Sequence, residues 1–489
     1  MLMLALVLWL SSQTAFSANV PLSPKVGLQS SHQPDEIPKG QVVEKMVCAD
    51  APDQTYALYL PTSYSPKRKW PVLYAFDPGA RGRVPVERFK EAAERFGWIV
   101  AGSNNSRNGP SQPSAEALSA IVKDTQERFA IDDNRAYLTG LSGGARLVFH
   151  FAIGCQGCIA GVIACGAGFP VGVSPSPALH FAVFSTTGTE DFNFGEVKTL
   201  DEALEKAGMI HRTEVFTGRH EWLPSSVAVD ALEWMELQAM KSGKRQRDAN
   251  LIESIWQTRM QQAQVLEDSQ KTYEAYQLYF GLQSSFRGLR DVAAVEKKTN
   301  QLRDSAEVKS GIRNEQQQIK KQREIESRID ILLAARQQRS KEAGPDGERS
   351  NQGLDPETRL TGMFAELRKQ AGGTEESDQR RVARRVLEGV FIGLFEQGAN
   401  QLQTQKRFDE AVRTFKLATE VNPERAGAFF YLAWAYASNG NKKQALRALQ
   451  TAVDKGFSDL AAIEGTKAFD SIHDESQYQQ IIQTIRSKP

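Results

Sequence analysis

The chain reads as an α/β protein: a doubly wound, mostly parallel sheet in its first half, followed by an all-α helical repeat region. Three observations carry this. Up to about residue 240, short apolar runs alternate with helical patterns and are punctuated by Gly and Pro; beyond it both become sparse, and Gln, Glu, Lys and Arg dominate. Several early runs, "PVLYAFD" and "HFAVFS" among them, are continuously apolar, as strands covered on both faces are. Toward the C-terminus a helical segment repeats itself with a shift of 34 positions.

The chain opens on "MLMLALVLWLSSQTAFSANV". Its apolar run, Leu2–Leu10, is too short to span a bilayer as a helix. Ala15-Phe16-Ser17 has the small-x-small pattern of a signal-peptidase site. Residues 1–18 are therefore expected to be a cleaved secretory signal that exports the chain to the periplasm or the medium, although the first residues hold no Lys or Arg. No later stretch holds about 18 uninterrupted apolar residues, so no transmembrane span is expected.

Strands are expected at about 42–48, 54–60, 71–76, 98–103, 135–139, 159–166, 180–186 and 211–217. Helices are expected at about 84–96, 114–129, 143–153, 194–207 and 225–241. Gly208 follows "LDEALEKA" where a helix C′ glycine belongs. Together these elements make one domain over 40–243. Residues 248–340 read as long polar helices with solvated charged faces, and 341–360, "KEAGPDGERSNQGLDPETRL", as a turn-rich polar linker.

In the last region, 361–489, "FDEAVRTFKLATEVNP" is followed by "KKQALRALQTAV". Ala411, Phe415 and Ala418 recur as Ala445, Leu449 and Ala452, Leu432, Ala433 and Tyr436 fill the small and aromatic positions upstream of the second unit, and Pro423 closes the first. "TKAFDSIHDESQYQQIIQTI" would cap the two units. The pattern resembles the tetratricopeptide repeat, which implies paired helices packed closely through small residues and a protein partner.

The net charge of +1 gives nucleic acid no electrostatic footing. The four cysteines, Cys48, Cys155, Cys158 and Cys165, allow three full pairings in an exported chain. Cys155-x-x-Cys158 is half a zinc site, so it reads as a structural bridge or as two buried thiols, and no metal is expected.

The chemistry lies in "RAYLTGLSGGARLVFHFA", where Gly140-Leu141-Ser142-Gly143-Gly144 joins an expected strand to a helix. Glycines there clear space for a tight, strained corner that holds a serine hydroxyl above the carboxyl end of the sheet. The other reading of the motif is a glycine-rich turn with Ser142 as a helix N-cap. A neutral serine needs a base, and in this arrangement acid and base follow it in the order Ser, Asp/Glu, His. His32 is out of order, His150 lies two turns down the following helix, His180 and His211 open strands at the opposite edge, and His473 lies in the repeats. His220, in "EVFTGRHEWLP", follows the last strand. "FSTTGTEDFNF" supplies the acid after the seventh: Asp191, three residues past Gly188, with Glu190 as the fallback.

These residues resemble the α/β-hydrolase superfamily, and within it the secreted esterases of the polyhydroxybutyrate depolymerase and feruloyl esterase type, over about residues 40–240. The resemblance implies hydrolysis of a small or polymeric ester through an acyl-enzyme on Ser142, with His220 as general base and Asp191 orienting it, and no cofactor. In that branch the third strand ends in a His-Gly motif whose backbone helps to bind the oxyanion. Here Asp77 takes the histidine position and Pro78 has no N–H. The donors would then be Gly79 or Ala80 together with Gly143. Arg81, Asn104, Asn105 and Trp222 lie on loops at the same edge as candidates for the substrate pocket, with a plain turn role equally open to the asparagines. The same triad serves amides, and a hydrolase-fold binding protein without activity is the rival from another class.

Overall fold

The computed structural model describes residues 37–155, 157–342, 355–374 and 376–487. The expected signal segment, and most of the expected linker, lie outside them. Two compact units divide the chain at Gln317/Gln318.

The first unit is built on one eight-stranded sheet: β1 (Val42–Cys48), β2 (Ala51–Tyr59), β3 (Trp70–Phe76), β4 (Ile99–Ser103), β5 (Ile131–Leu141), β6 (Gly161–Cys165), β7 (Ala182–Gly188) and β8 (His211–Phe216). Their order is β1-β2-β4-β3-β5-β6-β7-β8. β1 and β2 pair antiparallel, as do β2 and β4, and all the remaining neighbours are parallel. The helices between them are α1 (Arg83–Phe96), α2 (Ser111–Arg128), α3 (Gly143–Gly154), α4 (Phe194–Lys206) and α5 (Ser225–Lys241). This is the doubly wound α/β architecture expected from the sequence.

Side chains alternate across each strand. Val72, Tyr74 and Phe76 of β3 enter a core shared with Ile121 of α2, Phe149 of α3 and Leu204 of α4. Leu73 enters the opposite core with Phe89 of α1 and Leu232 of α5. Parallel pairing from β3 to β8 puts their carboxyl ends, and so the loops that follow, along one edge.

α5 is buried on every face from Ala231 to Met240, which requires a second cover beyond the sheet. α6 (Ala249–Asp268), α7 (Thr272–Phe286) and α8 (Ala293–Arg303) provide it: Leu237 and Met240 share a core with Ile252, Ile255, Trp256 and Tyr279. Arg259 of α6 lies between Asp230 and Glu233 of α5. Residues 249–303 are thus packed helices of the first unit. The long helix α9 (Ala306–Glu342) follows.

The second unit contains α10 (Pro356–Ala371), α11 (Asp378–Ala399), α12 (Phe408–Val421), α13 (Ala426–Ser438), α14 (Lys442–Asp454), α15 (Leu460–Glu464) and α16 (Ser476–Arg486). Ala411, Phe415, Ala418, Ala445, Leu449 and Ala452, the residues that recur in sequence, are all fully buried. Small residues let these helices approach: a Cβ on Gly398 of α11 would meet the Phe415 ring at 2.9 Å. Tyr478, Ile481, Ile482 and Ile485 of α16 close the same core. Among the described residues no helix is long and apolar enough to cross a membrane.

Candidate active site

Ser142 sits at the corner between β5 and α3 with φ 56° and ψ −119°, a region that non-glycine residues seldom occupy and that costs about 1–3 kcal/mol. The flanking glycines make the corner possible. A Cβ on Gly140 would overlap the backbone of Gly144, and one on Gly144 would overlap the Phe76 carbonyl. The Ser142 N–H donates to the Cys165 carbonyl at 2.8 Å, which fixes the corner to the end of β6. Its side chain makes no capping bond to α3. The N-cap reading therefore fails, and the hydroxyl is left unspent.

His220 reaches the same edge because its loop is laced to the turn after β7. Thr189 N–H donates to Phe216 O and Glu190 N–H to Gly218 O, both at 2.8 Å. The crossing is so close that a Cβ on Gly188 would come within 2.5 Å of the Gly218 and Arg219 carbonyls. His220 Nδ1 then lies 2.8 Å from Asp191 Oδ1. Asp191 is buried, and the same oxygen accepts the Asn193 N–H at 2.8 Å. Asn193 Nδ2 donates to Gly166 O at 2.7 Å, tying this turn to β6. Glu190 pairs with Arg219 at 3.5 Å, and it is Asp191 that reaches the imidazole.

Gly166 links the pair to the serine. It follows Cys165, whose carbonyl holds Ser142, and a Cβ on it would stand 3.0 Å from His220 Cε1 and 2.8 Å from Asp191 Oδ2. The imidazole also packs on Phe192, with ring centroids 4.2 Å apart. Sequence reading missed Gly166, Phe192 and Asn193; all lie within two residues of a strand end or of Asp191, which is the signal that could have found them.

The other histidines of the described residues stand elsewhere. His150 and His180 are exposed, and His211 is bound to the Met209 carbonyl and to Asp201. Cys155 and Cys158 form a disulfide. The two free cysteines are buried. Burial pushes the Cys165 thiol up to about 12, and burial together with Asp124 pushes Cys48 up to about 11, so neither is a thiolate nucleophile near neutrality.

The loop after β3 differs from expectation. Asp77 is buried and gathers that loop around its carboxylate. It accepts from Gly79 N–H at 2.8 Å, from Arg81 Nε at 2.9 Å and from Trp222 Nε1 at 2.8 Å. The Ala80 N–H, at φ 59°, donates to the Asp77 carbonyl at 3.2 Å. Both expected oxyanion donors of this loop, Gly79 and Ala80, are therefore spent on Asp77. Gly143 N–H has no acceptor among the described residues. The four pocket candidates also make structural bonds. Arg81 and Trp222 hold Asp77; Asn105 accepts from Thr55 N–H at 2.8 Å and donates to Asp53 O at 2.9 Å; Asn104 donates to Glu44 O at 3.1 Å. The asparagines fasten the loop after β4 to β1 and β2, which is the turn role.

Residues 402–468 match the tetratricopeptide repeat family model. No curated protein matches the chain. Among solved structures the chain is similar to a ferulic acid esterase (18% identity, covering 40% of this chain and 97% of that one, TM-score 0.34). It is also similar to the feruloyl esterase module from Clostridium thermocellum (15%, 39% and 85%, TM-score 0.33) and to the Bacillus cereus carboxylesterase (16%, 38% and 94%, TM-score 0.31). The chain thus joins a unit built on an eight-stranded, mostly parallel sheet to a C-terminal segment that matches the tetratricopeptide repeat.

Proposed function

We propose that the chain is a serine hydrolase that cleaves carboxylic esters. The observation that carries this reading is the pair of buried Asp191 and half-buried His220, seated on Gly166 beside a serine whose corner is strained and whose hydroxyl is unspent. Ser142 Oγ attacks the acyl carbonyl while His220 Nε2 takes its proton; Asp191 keeps Nδ1 protonated and stabilises the imidazolium. The tetrahedral oxyanion collapses, the C–O bond breaks, and the alcohol leaves with the proton returned by His220. Water, deprotonated by the same imidazole, then releases the acid and restores Ser142. A fluorophosphonate probe tests the assignment: wild type should label, and Ser142→Ala and His220→Ala should not. A folded wild type that does not label would favour a second reading, a hydrolase-fold binding protein, for which the closure of Gly79 and Ala80 onto Asp77 speaks.

The tetratricopeptide segment is proposed to hold a partner protein. A cavity of about 250 Å³ between α12, α13 and α14, lined by Lys416, Phe429, Tyr436 and Arg447 among others, offers such a partner both apolar and charged contacts. Export is proposed from the N-terminal sequence, and the Cys155–Cys158 bridge suits an oxidising compartment. N-terminal sequencing of the mature protein should begin just after residues 1–18.

A further inference from the structure

Acyl transfer needs preorganised donors at the carbonyl oxygen as it gains charge, and the backbone offers one. Gly143 N–H is unpaired among the described residues. The loop after β3 cannot easily open to offer a second, because Gly79 is bound to a buried carboxylate that also holds Arg81 and Trp222. Charge-assisted bonds of that kind are the strong ones.

Resting on the triad reading, we propose that the side-chain amide of Asn108 supplies the second oxyanion donor, beside Gly143 N–H. Asn108 is carried over the elbow by two ties between loops. Its neighbour Arg107 pairs with Gly79 across an antiparallel bridge, and its own N–H donates to the Pro78 carbonyl at 2.9 Å. The carboxamide then rests on Gly143, the residue next to the nucleophile. A Cβ at Gly143 would overlap Asn108 Oδ1 and stand 2.8 Å from Cγ and 3.3 Å from Nδ2. Glycine at 143 thus clears space for the amide as well as for the corner. The Asn108 side chain is exposed and makes no hydrogen bond to any described residue, so both its N–H groups are free for a substrate. Its terminal torsion is broad and roughly two-fold, and rotation about Cβ–Cγ turns Nδ2 toward an oxygen bound beside Gly143 N–H. Asp77 and Asn108 then have complementary tasks: the first closes the loop after β3, the second replaces the donor that closure removes.

The test uses the full chain, p-nitrophenyl acetate as substrate, a trifluoromethyl ketone as the oxyanion-forming inhibitor, and fluorophosphonate labelling as the check on the triad. Asn108→Ala and Asn108→Asp should each lower kcat by roughly 10²–10³-fold, as loss of one oxyanion donor does, with KM changed by less than about threefold. The ketone should bind more weakly by a similar factor. Asn108→Asp separates a donor from a turn residue, because aspartate keeps the size and turn preference of asparagine and lacks the amide. Asn108→Asp with kcat within about threefold of wild type, in a wild type that labels, would overturn the role of Asn108 and leave the triad standing. A folded wild type that neither labels nor hydrolyses would overturn both.

Discussion

Gly166 carries no functional group, yet its φ of +62° and the contacts a Cβ would make with Asp191 and His220 place it at the hub of the site. Gly166→Ala should therefore push the imidazole off line while leaving every reacting atom in place. A misplacement of about 1 Å can cost ~10²-fold, and the left-handed backbone adds about 1–2 kcal/mol of destabilisation. Kinetics with p-nitrophenyl acetate and a thermal melt on the same sample check both. The two carboxylates after β7 make a second contrast. Asp191→Asn should lower kcat by roughly 10⁴-fold by favouring the wrong imidazole tautomer, while Glu190→Gln, whose carboxylate pairs with Arg219, should change it by less than about threefold; the reverse ranking would transfer the orienting role to Glu190. The pairing of His220 with Asp191 was legible in the chain because strand order fixes which loops share an edge. The loss of Gly79 and Ala80 as donors was not, since it depends on the Asp77 side chain folding back onto its own loop.

β3, β4, β6 and β7 were legible as strands because they lie inside the sheet, where both faces are covered and every residue is buried; the edge strand β8 is only half-buried and lacks such a run. The starts of β2 and β5 were harder to read. β2 begins at Ala51 with Pro52, residues that look like a turn, because it pairs with β1 alone there and a sheet edge tolerates proline. β5 begins at Ile131 and runs through Asp132 and Asp133, with a register shift opposite Trp70 and Val72. β8 holds an element with a pH signature, where His211 Nε2 lies 3.4 Å from Asp201 Oδ1 of α4. Burial opposes the charged imidazole, but the bonds to Asp201 and the Met209 carbonyl outweigh it and raise the His211 pKa above the ordinary histidine value. Burial likewise opposes the Asp201 carboxylate and is outweighed by His211 and Thr213, so that pKa lies below its ordinary value. The His211 contribution is thus complete below about pH 6.5 and is lost as pH rises through the elevated folded pKa. The Asp201 contribution is present above about pH 4 and is lost as pH falls through the depressed one. His211→Gln should therefore lower the melting temperature more at pH 5.5 than at pH 8.5, and an equal deficit at both would show that the pair does not stabilise β8 against α4.

The division of the chain at Gln317/Gln318 falls inside α9, far beyond the composition change near residue 240. The sequence misled here because residues 249–303 are polar on average, while the spacing of Ile252, Ile255, Trp256 and Ala263 gives α6 a buried face against α5. Two truncations separate these readings. A chain ending at residue 243 keeps every strand and every triad residue but strips α5 of its cover. It exposes Leu237 and Met240, removes Arg259 from Glu233, and removes Arg245 from Glu236, a residue with no exposed surface. Glu236 keeps Arg135, but Glu233 loses its cation; an uncompensated buried charge costs about 3–5 kcal/mol, a large part of a total stability of about 5–15 kcal/mol. This chain should aggregate or melt without a cooperative transition. A chain ending at residue 317 retains α6–α8 and the first turns of α9, where Glu315 pairs with Lys198 of α4 at 2.9 Å. It should be monodisperse on size exclusion, melt in one step, and hydrolyse a small soluble ester with kcat/KM within about threefold of the full chain. If the chain ending at 243 were equally stable and active, α6–α8 would be an appendage of the first unit and not part of its core.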